Sequence, residues 1–182
     1  MARGTLVLVV GPSGVGKDSL IAHVRGALAG DGDSVPPPGS TPRAAGDAAE
    51  AHAPLDEARL GGMVAPGAFA LHWRAHGLGY GIPASIAGDL AAGRHVVANV
   101  SRAVIPDARR RFPPVRVVSV TAPAALLAER LANRGRESGE GIESRLDRAA
   151  LYAVDGPGVV VLDNAGPIAE AGGRFLALLR RL

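Results

Sequence analysis

Between Leu6 and Ala29 an apolar run, a glycine-rich loop and an amphipathic helix follow one another directly. The run Leu6-Val7-Leu8-Val9-Val10 has no polar alternation, which suits a strand buried on both faces. A helix is expected from about Lys17 to Ala29, because Leu20, Ile21, Val24 and Leu28 recur at helical spacing. Between strand and helix stand Gly11-Pro12-Ser13-Gly14-Val15-Gly16-Lys17-Asp18-Ser19, with the spacing G-x-x-x-x-G-K. A buried strand that turns at once into a helix constrains the rest of the chain strongly. The next parallel strand must be reached by a crossover, which commits the molecule to an α/β sheet.

The remaining sequence keeps that alternation. Residues 30 to 54 read as a loop or insertion, with Pro36-Pro37-Pro38-Gly39 at its heart. Regular structure resumes at Phe69 to Trp73, and Pro83 to Ala92 reads as a helix opening on proline. His95 to Val100, Val115 to Val120 and Val159 to Leu162 read as further strands. Helices are expected at Ile105 to Arg111, Pro123 to Ala132, Ile142 to Tyr152 and from about Pro167. The fold expected is three-layer α/β in one domain spanning residues 1–182, a central parallel sheet with helices on both faces.

Composition narrows the class. The 182 residues are 47% hydrophobic, enough for a sizeable core, and there is no cysteine for disulfides, thiolate zinc sites or a sulfur nucleophile. Twenty basic residues stand against 17 acidic ones, and Lys17 is the sole lysine. The densest basic run, Arg109-Arg110-Arg111, reads as a solvated helix face, so no nucleic-acid partner is expected. Leu6–Val10 is too short for a signal peptide or membrane span, so no membrane association and a cytoplasmic location are expected. His23 and His95 are expected to be structural, and Trp73 to serve in packing.

The loop of residues 11 to 19 is built for an anion. Its glycines let successive backbone N–H groups converge on phosphate oxygens, and the helix N-terminus adds positive potential. Lys17 supplies a compact ammonium for the terminal phosphates of a nucleotide. The residue after the lysine, ordinarily a hydroxyl that ligates Mg²⁺, is Asp18. Its carboxylate is a hard oxygen donor for that ion; the plainer alternative is that it only complements the helix N-terminus.

Three further groups suit phosphoryl transfer. Gly77-Leu78-Gly79-Tyr80-Gly81 offers a phenol and bare backbone to a phosphorylated acceptor. Arg130, Arg134, Arg136 and Arg145 bracket the loop from Gly135 to Gly141, where arginines can neutralise charge on a group in flight. The alternative there is a solvated helix pair held by Glu129, Glu137 and Glu143. Arg43, Glu50 and His52 lie in the irregular insertion without an evident structural task.

The glycine-rich loop, the Tyr80-Gly81 pair and the run from Arg130 through Arg134-Gly-Arg136-Glu137 to Arg145 resemble the guanylate kinase-like group of P-loop kinases. Within it, Lys17-Asp18-Ser19, the Arg43/Glu50/His52 spacing, Trp73, Asn99 with Ser101-Arg102 and Arg134-Gly-Arg136-Glu137 are more similar to the ribose 1,5-bisphosphate phosphokinases of phosphonate catabolism. The resemblance implies a P-loop kinase fold with an acceptor-binding insertion at about 30–82 and a helical lid at about 130–150. It implies phosphorylation of ribose 1,5-bisphosphate by ATP to 5-phosphoribosyl 1-diphosphate, with ATP and Mg²⁺ required.

By the same resemblance, residues 11–19 with Arg130 bind ATP, and Lys17, Arg134 and Arg145 are catalytic. Asn164 follows the last strand, where nucleotide-binding sheets place ligand-facing loops, and is expected to bind ATP at its adenine. Arg43, Glu50, His52, Tyr80 and Arg102 bind the acceptor, and Asp18 holds the metal. The group's readers of a guanine base are replaced by His72, Ile82, Asn99 and Ser101, whereas Arg43 and Tyr80 are retained. A base without its hydrogen-bond partners is rejected strongly, which favours a phosphosugar acceptor. The three prolines cannot enter a central ladder, so Arg43 is expected to be loosely held until acceptor binds. A nucleoside monophosphate kinase and a non-catalytic guanylate kinase-like module are the alternatives. Small-molecule substrates are the expected partners, and a homodimer is compatible with the sequence.

Overall fold

A computed structural model describes residues 2–30, 39–40, 69–75, 78–133 and 154–182. Most of the expected insertion, with Arg43, Glu50, His52, His76 and Gly77, lies outside the described residues. So do Arg134, Arg136, Glu137, Glu143, Arg145 and the helix expected at Ile142 to Tyr152.

The described elements run β1 (Leu6–Val10), α1 (Lys17–Gly30), β2 (Gly39–Ser40), β3 (Phe69–Ala75), β4 (Leu78–Pro83), α2 (Ile86–Ala91), β5 (Val96–Asn99), α3 (Ile105–Arg111), β6 (Val115–Thr121), α4 (Ala124–Asn133), β7 (Val159–Asp163) and α5 (Ile168–Leu179). A short 3₁₀ turn, Arg102–Val104, precedes α3. Five strands form a parallel sheet in the order β2-β5-β1-β6-β7. The chain packs as two compact units, Met1–Leu8 with Pro36–Val115 and Val9–Val35 with Arg116–Leu182. No helix among the described residues is long and apolar enough to cross a membrane.

In the first unit, β2 pairs with β5 in parallel, Gly39 opposite Val96 and Ser40 opposite Val97. Among the described residues, this two-residue strand stands at one end of the strand order. The Val96 N–H donates to the Thr5 carbonyl at 3.0 Å, and the Thr5 N–H donates to His95 Nδ1 at 3.0 Å. His95 therefore has the structural role expected of it, holding the start of β1.

β3 and β4 form a separate antiparallel ribbon, which the α/β alternation does not announce. The expected helix from Pro83 to Ala92 is shorter than its sequence suggests. Pro83 ends β4 opposite Phe69, and the helix begins only at Ile86, after Ser85. Proline suits a strand end as well as a first helical turn, and here the cross-strand pairing decides. Arg109 to Arg111 do lie on α3, where Asp107 pairs with Arg110 at 2.7 Å and with Arg111 at 3.2 Å. Arg111 does more than face solvent, because its guanidinium also donates to the Ala70 carbonyl of β3 at 2.6 Å.

In the second unit, β6 and β7 pair in parallel from Val117 opposite Val159 to Thr121 opposite Asp163. The helices α1 and α5 pack together, with His23 against Gly172. Leu20, Val24 and Leu28 on α1 and Ala171, Phe175 and Leu179 on α5 are buried. β1 begins in the first unit and ends in the second, and all five of its residues are at most 1% exposed, as an apolar run without alternation requires. That rigid strand is what delivers the loop at its C-terminal end.

Candidate active site

The loop of residues 11 to 16 leaves β1 and enters α1 at Lys17, as the G-x-x-x-x-G-K spacing demands. At Gly11 and Gly16 both the backbone and the neighbouring atoms exclude a side chain. Gly11 has φ 150°, and a Cβ there would stand 2.5 Å from the Val120 carbonyl oxygen. Gly16 has φ 91°, and a Cβ would stand 2.6 Å from Asn164 Nδ2. Both conformations are ones L side chains rarely adopt, so the loop's curvature depends on glycine.

The Lys17 ammonium folds back over the loop, donating to the Gly11 carbonyl at 2.8 Å and the Pro12 carbonyl at 3.1 Å. A compact point charge with three donors can make these contacts inside a cradle of backbone. Pro12 and Val15 are buried, while Ser13, Asp18 and Ser19 are exposed. By helix geometry, the first N–H groups of α1 lack intrahelical acceptors, and these lie where an anion would be neutralised.

Arg130 on α4 and Asn164 after β7 converge on the loop from the protein side. Asn164 is 2% exposed, and its Nδ2 donates to the Val15 carbonyl at 2.7 Å. Arg130 donates to the same carbonyl at 3.5 Å and to the Asn164 carbonyl at 3.1 Å. The Asn164 N–H donates to the Thr121 carbonyl at 2.8 Å, which extends the β6–β7 ladder to the loop. Sequence order named both residues but not this contact, because nothing local to Val15 signals a partner at position 164.

The metal donors are modest. Asp18 and Ser19 present a carboxylate and a hydroxyl in the first turn of α1. Among the described residues there is no group of three or more His, Cys, Asp or Glu that could hold a metal. Mg²⁺ keeps several waters and takes one or two protein oxygens alongside substrate phosphates, so this donor set fits an ion carried in with a nucleotide.

The described acceptor candidates belong to the first unit. Tyr80 on β4 sits opposite Trp73 on β3, and their rings stack with centroids 5.6 Å apart. Trp73 thus packs, as its sequence setting suggests, and it packs on a candidate site residue. Phe69 lies over Gly81, leaving no room for a Cβ there. β3 also packs against the 3₁₀ turn that carries exposed Arg102. Ser101 caps that turn, its Oγ accepting from the Ala103 N–H at 3.3 Å. Ile82 is a core residue, 1% exposed, whereas His72 is exposed on the opposite face of the ribbon. The remaining candidates, Arg43, Glu50, His52, Arg134 and Arg145, fall outside the described residues.

Comparison with known proteins bears on the whole chain. No protein-family model matches it. The ribose 1,5-bisphosphate phosphokinase PhnN of Acidiphilium cryptum is 51% identical over 178 residues, covering 98% of this chain and 93% of that protein. The protein of the same name from Chelativorans sp. is 45% identical, covering 98% of this chain and 86% of its own. A bifunctional ribose 1,5-bisphosphokinase-thymidine phosphorylase of Azorhizobium caulinodans is 47% identical over 179 residues, which make up 26% of its length. Among solved structures, a guanylate kinase from Anaplasma phagocytophilum aligns with a TM-score of 0.62 at 15% identity, covering 100% of this chain and 87% of that one. A gluconokinase from Sinorhizobium meliloti aligns with a TM-score of 0.55 at 20% identity, covering 100% and 94%. The fold is that of the P-loop kinases, and at these identities over nearly its full length the chain belongs to the PhnN ribose 1,5-bisphosphate phosphokinase family.

Proposed function

We propose that the protein transfers the γ-phosphoryl group of ATP to ribose 1,5-bisphosphate. An oxygen of the 1-phosphate attacks the γ-phosphorus, the bond to the β-phosphate oxygen breaks, and 5-phosphoribosyl 1-diphosphate and ADP leave. The observation that carries this reading is the single lysine in a glycine cradle between β1 and α1, in a chain 51% identical to a relative of that name.

The chemistry asks little of a general base, because the attacking phosphate oxygen is already ionised near neutral pH. It asks instead for alignment and charge neutralisation. Lys17 neutralises charge on the terminal phosphates of ATP, and the loop N–H groups hold them. Arg134 and Arg145 are proposed to neutralise the transferred group, by the resemblance of their motif. Asp18, with Ser19 beside it, would hold Mg²⁺, which when bound screens the phosphate charge. Tyr80 and Arg102 are the described candidates for the acceptor phosphates, with Arg43, Glu50 and His52 assigned to the same task. The residues from about 30 to 82 and from about 130 to 150 are read as acceptor-binding and lid segments of a single kinase domain. Dependence on ATP argues for a cytoplasmic reaction.

The test is end-point transfer from γ-labelled ATP to a panel of ribose 1,5-bisphosphate, ribose 5-phosphate, GMP and deoxynucleoside monophosphates. Label should appear in 5-phosphoribosyl 1-diphosphate with the highest kcat/KM of the panel. Preferential labelling of GMP would make the protein a nucleotide kinase, and no transfer to any acceptor would favour a non-catalytic module.

A further inference from the structure

The Val15–Gly16 peptide is gripped from one side by two donors that come from distant parts of the sequence. Asn164 Nδ2 reaches the Val15 carbonyl at 2.7 Å and an Arg130 guanidinium nitrogen reaches it at 3.5 Å. A second Arg130 nitrogen donates to the carbonyl of Asn164 itself at 3.1 Å, so the two donors are tied together.

The other end of the Asn164 amide sharpens the point. Its Oδ1 is buried without a hydrogen-bond partner among the described residues. Reversing the amide would set that oxygen against the Val15 carbonyl, so the donor must face the loop. A buried acceptor left unpaired costs stability, and a leucine of similar size would avoid that cost. What the asparagine contributes is the N–H it aims at Val15.

A trans peptide directs its C=O and N–H to opposite sides. Holding the Val15 carbonyl toward Asn164 and Arg130 therefore turns the Gly16 N–H away from them. Gly16, at φ 91° and without a Cβ, is the residue about which this peptide could otherwise rotate. The rotated peptide would present a carbonyl oxygen to an incoming phosphate where a donor is needed.

We infer that Asn164 is a positioning residue for the phosphoryl donor: backed by Arg130, its buried amide locks the Val15–Gly16 peptide so that the Gly16 N–H faces the triphosphate. This rests on the reading of the loop as the ATP phosphate site. It differs from a contact with the base, because the group being held is backbone.

The experiment uses the full chain with Mg²⁺ and compares wild type, Asn164→Leu and Asn164→Asp. Calorimetry measures affinity for ATP, GTP and inorganic tripolyphosphate, with kcat, KM and Tm determined on the same samples. In the Leu variant, affinities for ATP and tripolyphosphate should fall together by about 10- to 100-fold, the loss typical of one hydrogen bond to a charged group. The ATP-to-GTP ratio should stay constant, and Tm should change little, because the loss of the Nδ2–Val15 bond is offset by removal of the unpaired Oδ1. The Asp variant keeps the shape but opposes a carboxylate to a carbonyl, so it should lose more.

A collapsed ATP-to-GTP ratio with unchanged tripolyphosphate binding would make Asn164 a base reader and overturn the inference. Lower Tm with unchanged affinities in both variants would reduce it to a structural residue. If the wild-type protein itself binds neither ATP nor tripolyphosphate, the reading of the loop fails, and this inference with it.

Discussion

The rings of Trp73 and Tyr80 stack across the β3–β4 ribbon with centroids 5.6 Å apart and planes 12° from parallel. They are directly opposed in register, and the next pair on the same face, Leu71 and Ile82, is fully buried. The only tryptophan of the chain therefore limits the directions open to a half-buried phenol. An aromatic pair of this kind contributes about 0.5–1.5 kcal/mol beyond its buried area. Trp73→Ala should raise KM for ribose 1,5-bisphosphate by about 2- to 13-fold and leave KM for ATP unchanged, with Trp73→Phe retaining most of the effect. Steady-state kinetics with each substrate varied in turn checks this, and equal changes in both KM values would contradict it.

Lys17→Arg keeps the charge and should still lose transfer. The ammonium lies within 3.1 Å of two loop carbonyls, a space in which a planar guanidinium cannot rotate its donors to follow the phosphates. We expect kcat to fall by about 10²-fold or more, comparable to removing a donor to developing charge. A single-turnover assay separates this from weaker ATP binding, and near-normal turnover would show that charge alone suffices.

Asp18→Asn preserves size while removing a hard anionic ligand. The Mg²⁺ concentration for half-maximal rate should rise about tenfold, whereas Ser19→Ala should cost less because a hydroxyl is the weaker donor. Titrating Mg²⁺ at fixed ATP gives the answer. An unchanged requirement in the Asp18 variant would leave that carboxylate with only its electrostatic role at the helix N-terminus.

Gly172 and its neighbour Gly173 on α5 should respond oppositely to alanine. A Cβ at 172 would meet the His23 ring, with Nε2 at 2.8 Å and Cγ at 3.1 Å, whereas at 173 nothing lies within 4 Å. Gly172→Ala should destabilise by about 1–3 kcal/mol, the usual cost of overpacking a close contact. That lowers Tm by about 2–4 °C per kcal/mol in a chain of this size. Gly173→Ala should raise Tm, because an exposed helical glycine is about 1 kcal/mol worse than alanine. Adding His23→Ala to the first variant should recover part of its loss, since the imidazole is the group displaced.

Local pattern was enough wherever one segment settles its own structure. Leu6–Val10 has to be buried because it has no polar face, and Gly11 to Lys17 has to be a tight anion-binding turn because of where its glycines fall. The Ile105–Arg111 helix likewise follows from its own residues. Pro83 shows the limit, since a proline serves a helix start and a strand end equally well. Only its pairing with Phe69 decides between them.

The sequence by itself determined the α/β class, the phosphate-binding loop and the singular place of Lys17, because each depends on residues adjacent along the chain. Tertiary structure alone decided that Trp73 braces Tyr80, that Ile82 is core, that Arg111 ties α3 to β3, and that Asn164 grips the Val15 carbonyl 149 residues away. Those relationships depend on which strands and helices come to lie side by side. A side chain that must satisfy a donor or fill a surface does so with whatever neighbour the fold supplies, and no run of sequence carries that neighbour's number.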